Sequence, residues 1–299
     1  MPRKILYFIN PISGRGRKTS IIQIISKKTA EQNIPFEILP AERDGNYCYL
    51  KEKVKKEKFT DVVICGGDGT INPIVSTLLG IDVNIGIIPA GSGNGLALAA
   101  KIPRHAVRAL QLIFKGSAKS TDAFYINDHF SCMLCGIGFD AQVAHDFALD
   151  KKRGLATYIK QSIKNFVKAS AYNFTITVKG NTFSTDAFFI SIANSNQFGN
   201  NFTIAPKASL DDGLLDIIVV KKMSKVKMFW AVLQQIRSGE VRHSEEINFH
   251  KKEVLYFQTD KLIIENPLMA PLHIDGDPAT TNKKFIIKIL PAAFKLLRP

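Results

Sequence analysis

The stretch from Asp61 to Asn72 has the sequence DVVICGGDGTIN. Four apolar residues, Val62 to Cys65, stand between an acidic residue and a glycine cluster, as in a short buried strand. The next four positions hold three glycines: Gly66, Gly67 and Gly69. They indicate a sharp turn, because glycine has no Cβ and tolerates positive φ. With Thr70 as the expected cap, apolar residues then recur at helical spacing: Ile71, Ile74, Val75, Leu78 and Leu79.

A strand that passes through a glycine turn into a helix exposes backbone N–H groups at the positive end of the helix dipole, which suits a phosphate. An acidic residue in the turn, Asp68, would repel a bare phosphate but would attract Mg²⁺ carried by a nucleoside triphosphate. Neither the P-loop motif nor the Gly-x-Gly-x-x-Gly fingerprint occurs in the chain. A strand-to-helix connection without a ligand is the alternative interpretation.

The composition is that of an ordinary globular protein, with 45% hydrophobic and 22% charged residues in a chain of 299. The net charge of +14 suits a polyanionic partner, such as a nucleotide, an anionic membrane surface or nucleic acid, although solubility would also explain it. Four cysteines favour a reducing cytosol over a disulfide framework. We expect no signal peptide and no transmembrane span, hence a cytoplasmic protein with at most peripheral membrane contact.

Two domains are predicted from the order of the patterns. Up to residue 122, apolar strands alternate with helices in the order βαβαβαβ, which indicates an α/β domain with a mostly parallel sheet. In residues 123–290, strand-like runs separated by Asp-Gly and Gly-Asn turns predict a mainly antiparallel β domain, with helices near 155–169 and 224–238. A return of the tail, 291–299, to the first domain is left open.

The string Gly66–Thr70 resembles the signature of the diacylglycerol kinase catalytic domain, which sphingosine and ceramide kinases share and NAD kinases share more distantly. Four further boxes match the family in order: Asn10–Gly14, Pro89–Gly95, Ala205–Leu215 and Asp275–Asp277. The resemblance covers nearly the whole chain. It implies an ATP-dependent lipid kinase of the fold described above, with Mg²⁺ as cofactor.

The resemblance also implies the site residues. The nucleotide would contact the loops after the first, third and fourth strands, through Asn10, Pro11, Ser13, Gly14, Gly66, Gly67, Asp68, Gly69, Thr70, Asn72, Ser92 and Asn94. Asp277 takes the family's proton-acceptor position, with Asp275 beside it and Asp68 as a third catalytic residue. A structural Mg²⁺ would be held by Asp212 and by the carbonyl groups of Ser209 and Leu214.

Three positions depart from the family pattern, one of them Asp277, which stands where the family has glutamate. Ala41 stands where the family often has a nucleotide-contacting threonine, and Gly95 stands where bacterial members usually have aspartate. The string GSGNGLA is closer to the sphingosine-kinase form, so a diacylglycerol-like and a sphingoid acceptor both remain open.

Basic residues near apolar ones, such as Lys160, Lys164 and Lys168, are the composition of an anionic-membrane contact, although a solvated helix face is the simpler explanation of this helix taken alone. A soluble nucleotide kinase of the NAD kinase type is the alternative enzyme. A nucleic-acid-binding protein would leave the glycine turn unexplained, so no nucleic-acid partner is expected. The oligomeric state stays open, a homodimer included.

Overall fold

The computed structural model describes residues 2–11, 18–150, 161–162, 164–165, 169–197, 205–224, 226–227 and 253–299. The chain divides into two compact units. Unit 1 comprises Met1–Thr121 and Ala292–Pro299, and unit 2 comprises Asp122–Pro291. Two strands continue across the boundaries, β5 (Ser117–Ile126) and β15 (Lys284–Arg298).

Unit 1 is an α/β unit. Its remaining elements are β1 (Ile5–Ile9), α1 (Lys18–Ala30), β2 (Phe36–Pro40), α2 (Leu50–Lys56), β3 (Asp61–Gly66), α3 (Asp68–Leu78), β4 (Asn84–Pro89), α4 (Gly95–Ala99) and α5 (Ala106–Lys115). The end of β15 joins them in a parallel sheet of order β15-β4-β3-β1-β2. Every residue of β1 and β3 is buried, as expected for parallel strands covered on both faces.

Asp61, at the start of β3, is only 1% exposed and is held by several donors at the amino edge of this sheet. The Arg3 guanidinium donates Nε to Oδ2 (2.9 Å) and Nη2 to Oδ1 (3.2 Å), and the Thr60 hydroxyl donates to Oδ2 (2.7 Å). The acidic residue that begins the quoted stretch therefore links the N-terminal segment to the central strand.

Unit 2 is mainly antiparallel. Its remaining elements are β6 (His129–Ser131), β7 (Leu134–Gly138), α6 (Phe139–Leu149), β8 (Tyr172–Val178), β9 (Asn181–Ala193), β10 (Leu215–Lys221), β11 (Val254–Thr259), β12 (Lys261–Glu265), β13 (Leu272–Ile274) and β14 (Asp277–Ala279). The strand order is β14-β13-β7-β9-β8-β12, followed by the start of β15, and β10 pairs with β9 and β11.

Burial alternates along β8, β11 and β12, so one face of this sheet packs on a core and the other meets solvent. The core contains Phe124, Phe174, Phe285, Ile190 and Ile217, among others. Each fully buried side chain of this size contributes about 1.5–3 kcal/mol relative to exposure. The alternating apolar pattern of the sequence thus selects the buried face.

The predicted fold class is confirmed: an α/β unit with parallel strands precedes a mainly antiparallel β unit. The sequence patterns did not predict α6. Gly138, the N-cap of this helix, adopts φ +104. The predicted helices near 155–169 and 224–238 lie largely outside the described residues.

Candidate active site

Within unit 1, the neighbouring strands β1, β3 and β4 all end at the same edge of the sheet, and a loop follows each of them. The amide of Asn10 donates to the carbonyl oxygen of Cys65, and the amide of Ala90 donates to that of Gly66, both at 2.9 Å. The carboxyl ends of adjacent parallel strands are where open α/β sheets bind ligands. The first residues after these strands, Asn10, Gly67 and Ala90, therefore lie at the same edge.

The Asp68 carboxylate links two of these loops. Its Oδ2 accepts the amide N–H of Gly95 at 2.9 Å, and its Oδ1 accepts that of Leu96 at 3.2 Å. These are the first amides of α4, which lack partners within the helix. Asp68, itself the first residue of α3, thus joins two helix N-termini, where negative charge is favourable. Asp68 therefore has a structural role at the start of α4, in addition to the role near a phosphate that the sequence predicts.

Thr70 does not cap α3, contrary to the sequence expectation. The N-cap is Gly67, which has no side chain to cap with, and Thr70 is the third residue of the helix. Its hydroxyl accepts a hydrogen bond from Nδ2 of Asn10 at 2.7 Å. Thr70 therefore connects the loop after β1 to the helix after β3.

The glycine turn permits a direct approach of two backbones. A Cβ built on Gly67 would lie 2.9 Å from Cα of Gly91, and one built on Gly91 would lie 2.5 Å from Cα of Gly67. Any side chain at either position would separate the two loops. The glycines at 67 and 91 thus serve a close loop contact, in addition to any approach to a ligand.

Asn94 organises the third loop rather than projecting from it. It is 7% exposed, adopts φ +54, and its Oδ1 and Nδ2 bond the amide (2.8 Å) and carbonyl (2.7 Å) of Gly91. Asparagine tolerates this left-handed conformation better than most residues. Ser92 lies at the exposed tip of the same loop.

The other predicted nucleotide contacts are placed unevenly. Pro11 and Asn72 are half-buried and Gly69 is exposed, whereas Ser13 and Gly14 lie outside the described residues. Each nucleotide-binding role stays a prediction. The edge that gathers Asn10, Asp68 and Thr70 is where an anionic ligand would meet backbone donors of α3.

Asp275 and Gly276 form the two-residue turn of the β13–β14 hairpin. Their φ values of +50 and +87 are those of a type I′ turn, for which Asp-Gly is a favoured sequence. Asp275 is 9% exposed, whereas Asp277, which begins β14, is exposed. The two carboxylates of one sequence box therefore have different environments.

The Asp275 carboxylate is surrounded by donors from the segment Ser131–Leu134, where β6 ends and β7 begins. Its Oδ1 accepts the Ser131 hydroxyl (2.6 Å) and the amides of Met133 (3.2 Å) and Leu134 (3.0 Å), while its Oδ2 accepts the amide of Cys132 (3.3 Å). A carboxylate with these four donors holds the loop in place. Its catalytic role stays a prediction, and the geometry assigns it a positioning contact first.

Helix α6 supports the same hairpin. His145 Nε2 lies 2.8 Å from the carbonyl oxygen of Leu272, and the fully buried His273 accepts the amide of Gly276 at Nδ1 (3.3 Å). His273 Nε2 lies 3.5 Å from Oδ2 of Asp140, in space that exists because residue 136 is glycine. The sequence patterns did not predict this buried pair.

The loop before β10 carries the predicted metal ligands. Asp212 Oδ1 accepts the amide of Leu214 (3.0 Å), the Ser209 hydroxyl donates to Asp211 (2.7 Å), and the amide of Gly213 donates to Asp122 (2.7 Å). Partial burial raises the pKa of Asp212, and the Asp122 and Asp211 charges add to that rise.

This concentration of negative charge fits a divalent cation, because a bound cation would offset it. In the described part of the chain, no three Asp, Glu, His or Cys side chains are arranged to hold a metal. The predicted magnesium ligands include only one such side chain, Asp212, together with two carbonyl oxygens. That ligand set remains a prediction.

The raised pKa of Asp216, in β10, leads us to expect that the stability of the protein depends on pH. Burial raises its pKa from 3.8 to about 6, while hydrogen bonds from Tyr256 and Gln258 act in the opposite direction. A raised folded-state pKa contributes stability that is fully present below pH 3.8 and is lost as the pH rises through about 6. Asp216→Asn should therefore be more stable than the wild type at pH 8 by about 1–3 kcal/mol. Urea unfolding of both proteins at pH 5 and pH 8 measures this, and an equal difference at both values would contradict it.

Of the predicted basic face, Lys160 and Lys168 lie outside the described residues. Lys164 is exposed and its Nζ lies 3.5 Å from Oδ2 of Asp146. Among the helices that the structure describes, none is long and apolar enough to cross a membrane.

Known families match both parts of the chain. Residues 4–126 match the diacylglycerol kinase catalytic domain, and residues 134–298 match the YegS C-terminal NAD kinase beta sandwich-like domain. A "Probable lipid kinase YegS-like" of Shewanella frigidimarina is 30% identical over 245 residues, which cover 80% of this chain and 76% of the relative. One of the same name from Yersinia pestis is 28% identical and covers 100% of this chain and 98% of its own length.

Among solved structures, a diacylglycerol kinase from Bacillus anthracis strain Sterne superposes with a TM-score of 0.77. The alignment covers 99% of this chain and 97% of that one at 21% identity, which shows a shared fold.

Proposed function

The chain belongs to the diacylglycerol kinase family, and we propose that it transfers the γ-phosphoryl group of ATP to a lipid hydroxyl. The acceptor would be a diacylglycerol-like or sphingoid-type lipid. The observation that carries the proposal is the Asp68 carboxylate, which sits where three loops converge and bonds the amides of Gly95 and Leu96. An acidic residue beside helix N-termini suits a nucleotide that arrives with its own cation.

Unit 1 would bind the nucleotide. The N-terminal amides of α3 and the glycine turn would approach the phosphates, with Asn10 and Thr70 held in one arrangement by their 2.7 Å hydrogen bond. The Asp68 carboxylate would hold a cation that arrives with the nucleotide, since a carboxylate is a preferred ligand of Mg²⁺. Bound there, Mg²⁺ would supply charge neutralisation on the phosphate oxygens.

Unit 2 would supply the acceptor side. The lipid hydroxyl oxygen attacks the γ-phosphorus, the bond to the bridging oxygen of ADP breaks, and the hydroxyl proton passes to the exposed Asp277 carboxylate. Asp275 would act as a positioning residue, since Ser131 and three backbone amides already bond it. Aspartate at 277 is one methylene shorter than the family's glutamate, and the type I′ turn sets where it projects.

The direct test supplies radiolabelled ATP and a panel of vesicle-presented lipids: diacylglycerol, phosphatidylglycerol, sphingoid bases, ceramide and undecaprenol. We expect label in one lipid class and ADP in equal amount. NAD is included as a soluble acceptor, because its phosphorylation in place of every lipid would favour the alternative nucleotide kinase. If neither a lipid nor NAD becomes labelled, the proposal is contradicted.

A structural Mg²⁺ at the loop before β10 has its own prediction. Adding Mg²⁺ should raise the melting temperature of the wild type by a few °C, because a ligand that binds only the folded state stabilises it. Asp212→Ala should remove that rise even in excess Mg²⁺. Asp211→Ala, an exposed neighbour in the same turn, is the matched control and should keep it. If the rise is the same in all three proteins, Asp212 is not a ligand.

A further inference from the structure

Unit 2 displays three apolar residues in succession on one loop. The segment from Asn266 to Pro271, named the Asn266 loop, joins β12 to β13. Pro267, Leu268 and Met269 are all exposed, Leu268 by 60% and Met269 by 43%. Single exposed apolar side chains are common on proteins, but a contiguous group often marks a contact surface.

The Asn266 loop is held by its own hydrogen bonds. Asn266 is fully buried, and its side-chain Nδ2 donates to the carbonyl oxygen of Ala270 (3.1 Å) and to that of Asn282 (3.1 Å). Its Oδ1 accepts the amide of Ala270 (2.9 Å), and the Thr281 hydroxyl donates to the carbonyl oxygen of Ala270 (2.6 Å). The loop therefore presents its apolar tip in one conformation, so little ordering entropy would be lost on contact.

The tip also contains an unfavourable backbone conformation. Met269 adopts φ +53, a left-handed conformation in which a residue with an unbranched apolar side chain is uncommon. Asparagine or glycine is the usual choice there. Residues in sparsely populated conformations of this kind cluster at active sites and ligand contacts.

Basic residues stand beside the loop. The amide of Asn266 donates to the carbonyl oxygen of Lys283 (2.7 Å), and Lys284 pairs across the strands with Glu265. The side chains of Lys283, Lys284 and Glu265 are all exposed. Apolar side chains next to basic ones are typical of surfaces that bind anionic bilayers.

We propose that the Asn266 loop inserts Leu268 and Met269 into the interface of an anionic lipid bilayer. The loop leads directly into β13, whose three residues end at the Asp275-Gly276 turn. At about 3.3 Å per residue, the turn lies about 10 Å along the strand from the loop, similar to the depth of the interfacial region. This inference rests on the proposed lipid kinase function, because it explains how the acceptor turn would meet a lipid hydroxyl.

The test variant combines Leu268→Gln with Met269→Asn. Asparagine suits the left-handed conformation at 269, so the double variant should fold at least as well as the wild type. Sedimentation uses vesicles that contain equal amounts of phosphatidylglycerol and phosphatidylcholine. The double variant should bind them about tenfold or more weakly than the wild type, because it no longer buries two apolar side chains. Ile286→Thr is the matched control, since Ile286 is 48% exposed on a strand of the same unit. It should bind as the wild type does.

A second variant reports insertion without any loss of apolar surface. In Leu268→Trp, tryptophan emission should shift to shorter wavelength when these vesicles are added, after subtraction of the wild-type signal from Trp230. An unshifted emission, equal sedimentation of double variant and wild type, or no vesicle binding by the wild type would each overturn the inference.

Wild-type kinase activity on detergent-dispersed lipid is measured separately. Its absence would count against the proposed function, whereas sedimentation and emission decide the role of the loop.

Discussion

Asp68→Ala is expected to lower ATP-dependent phosphoryl transfer by a factor of about 10³ or more. The carboxylate is the only acidic side chain in the glycine turn, and a preorganised group at a phosphate site typically contributes a factor of 10² to 10³ by itself. Its loss would also release the amides of Gly95 and Leu96, which would loosen the loop before α4. Initial rates at saturating ATP and lipid measure the effect.

Asp68→Asn separates the two roles of this residue. Asparagine keeps one oxygen to accept an amide N–H but has no charge to attract a cation. We expect it to recover most of the stability that Asp68→Ala loses, about 1–2 kcal/mol, and to recover none of the activity. Thermal unfolding and rates of both variants test this. Wild-type activity in a folded Asp68→Asn protein would remove Asp68 from the catalytic site.

Asp275→Ala should destabilise the protein by about 3–5 kcal/mol. The substitution leaves the Ser131 hydroxyl and the amides of Cys132, Met133 and Leu134 without the acceptor they share, and buried donors without acceptors are costly. It also removes the residue that holds the hairpin turn against that segment. Urea unfolding monitored by circular dichroism measures the change in free energy.

Asp277→Ala is the matched substitution, two positions away on the same hairpin. Asp277 is exposed, so its removal should change stability by no more than about 0.5 kcal/mol while kinase activity falls by about 10² or more. Proton acceptance at Asp277 has to be abandoned if that variant keeps full activity on the lipid that the wild type phosphorylates. A large loss of stability would show instead that its carboxylate is structural.

The sequence by itself predicted the elements of the glycine turn. Four apolar residues between Asp61 and the glycine cluster have the length and flanks of a buried strand, and the spacing of Ile71, Ile74 and Leu78 places them on one face of a helix. On propensity alone, the Asp-Gly pair at 275 and 276 favours a turn, because few other residues tolerate two successive positive φ values. Local sterics and burial are sufficient for these conclusions.

The partners of the polar side chains were decided by the tertiary structure alone. Asp68 accepts amides 27 and 28 residues away, and Asp275 accepts donors 141 to 144 residues away. No local pattern records such distances along the chain, since a carboxylate in a turn has the same propensity whether it faces water or a ring of amides. Only when β13 pairs with β7 does Asp275 become buried while Asp277, two residues later, stays exposed. The sequence therefore determined where the turns and strands are, and the packing of distant segments determined which carboxylate is buried among donors and which is exposed.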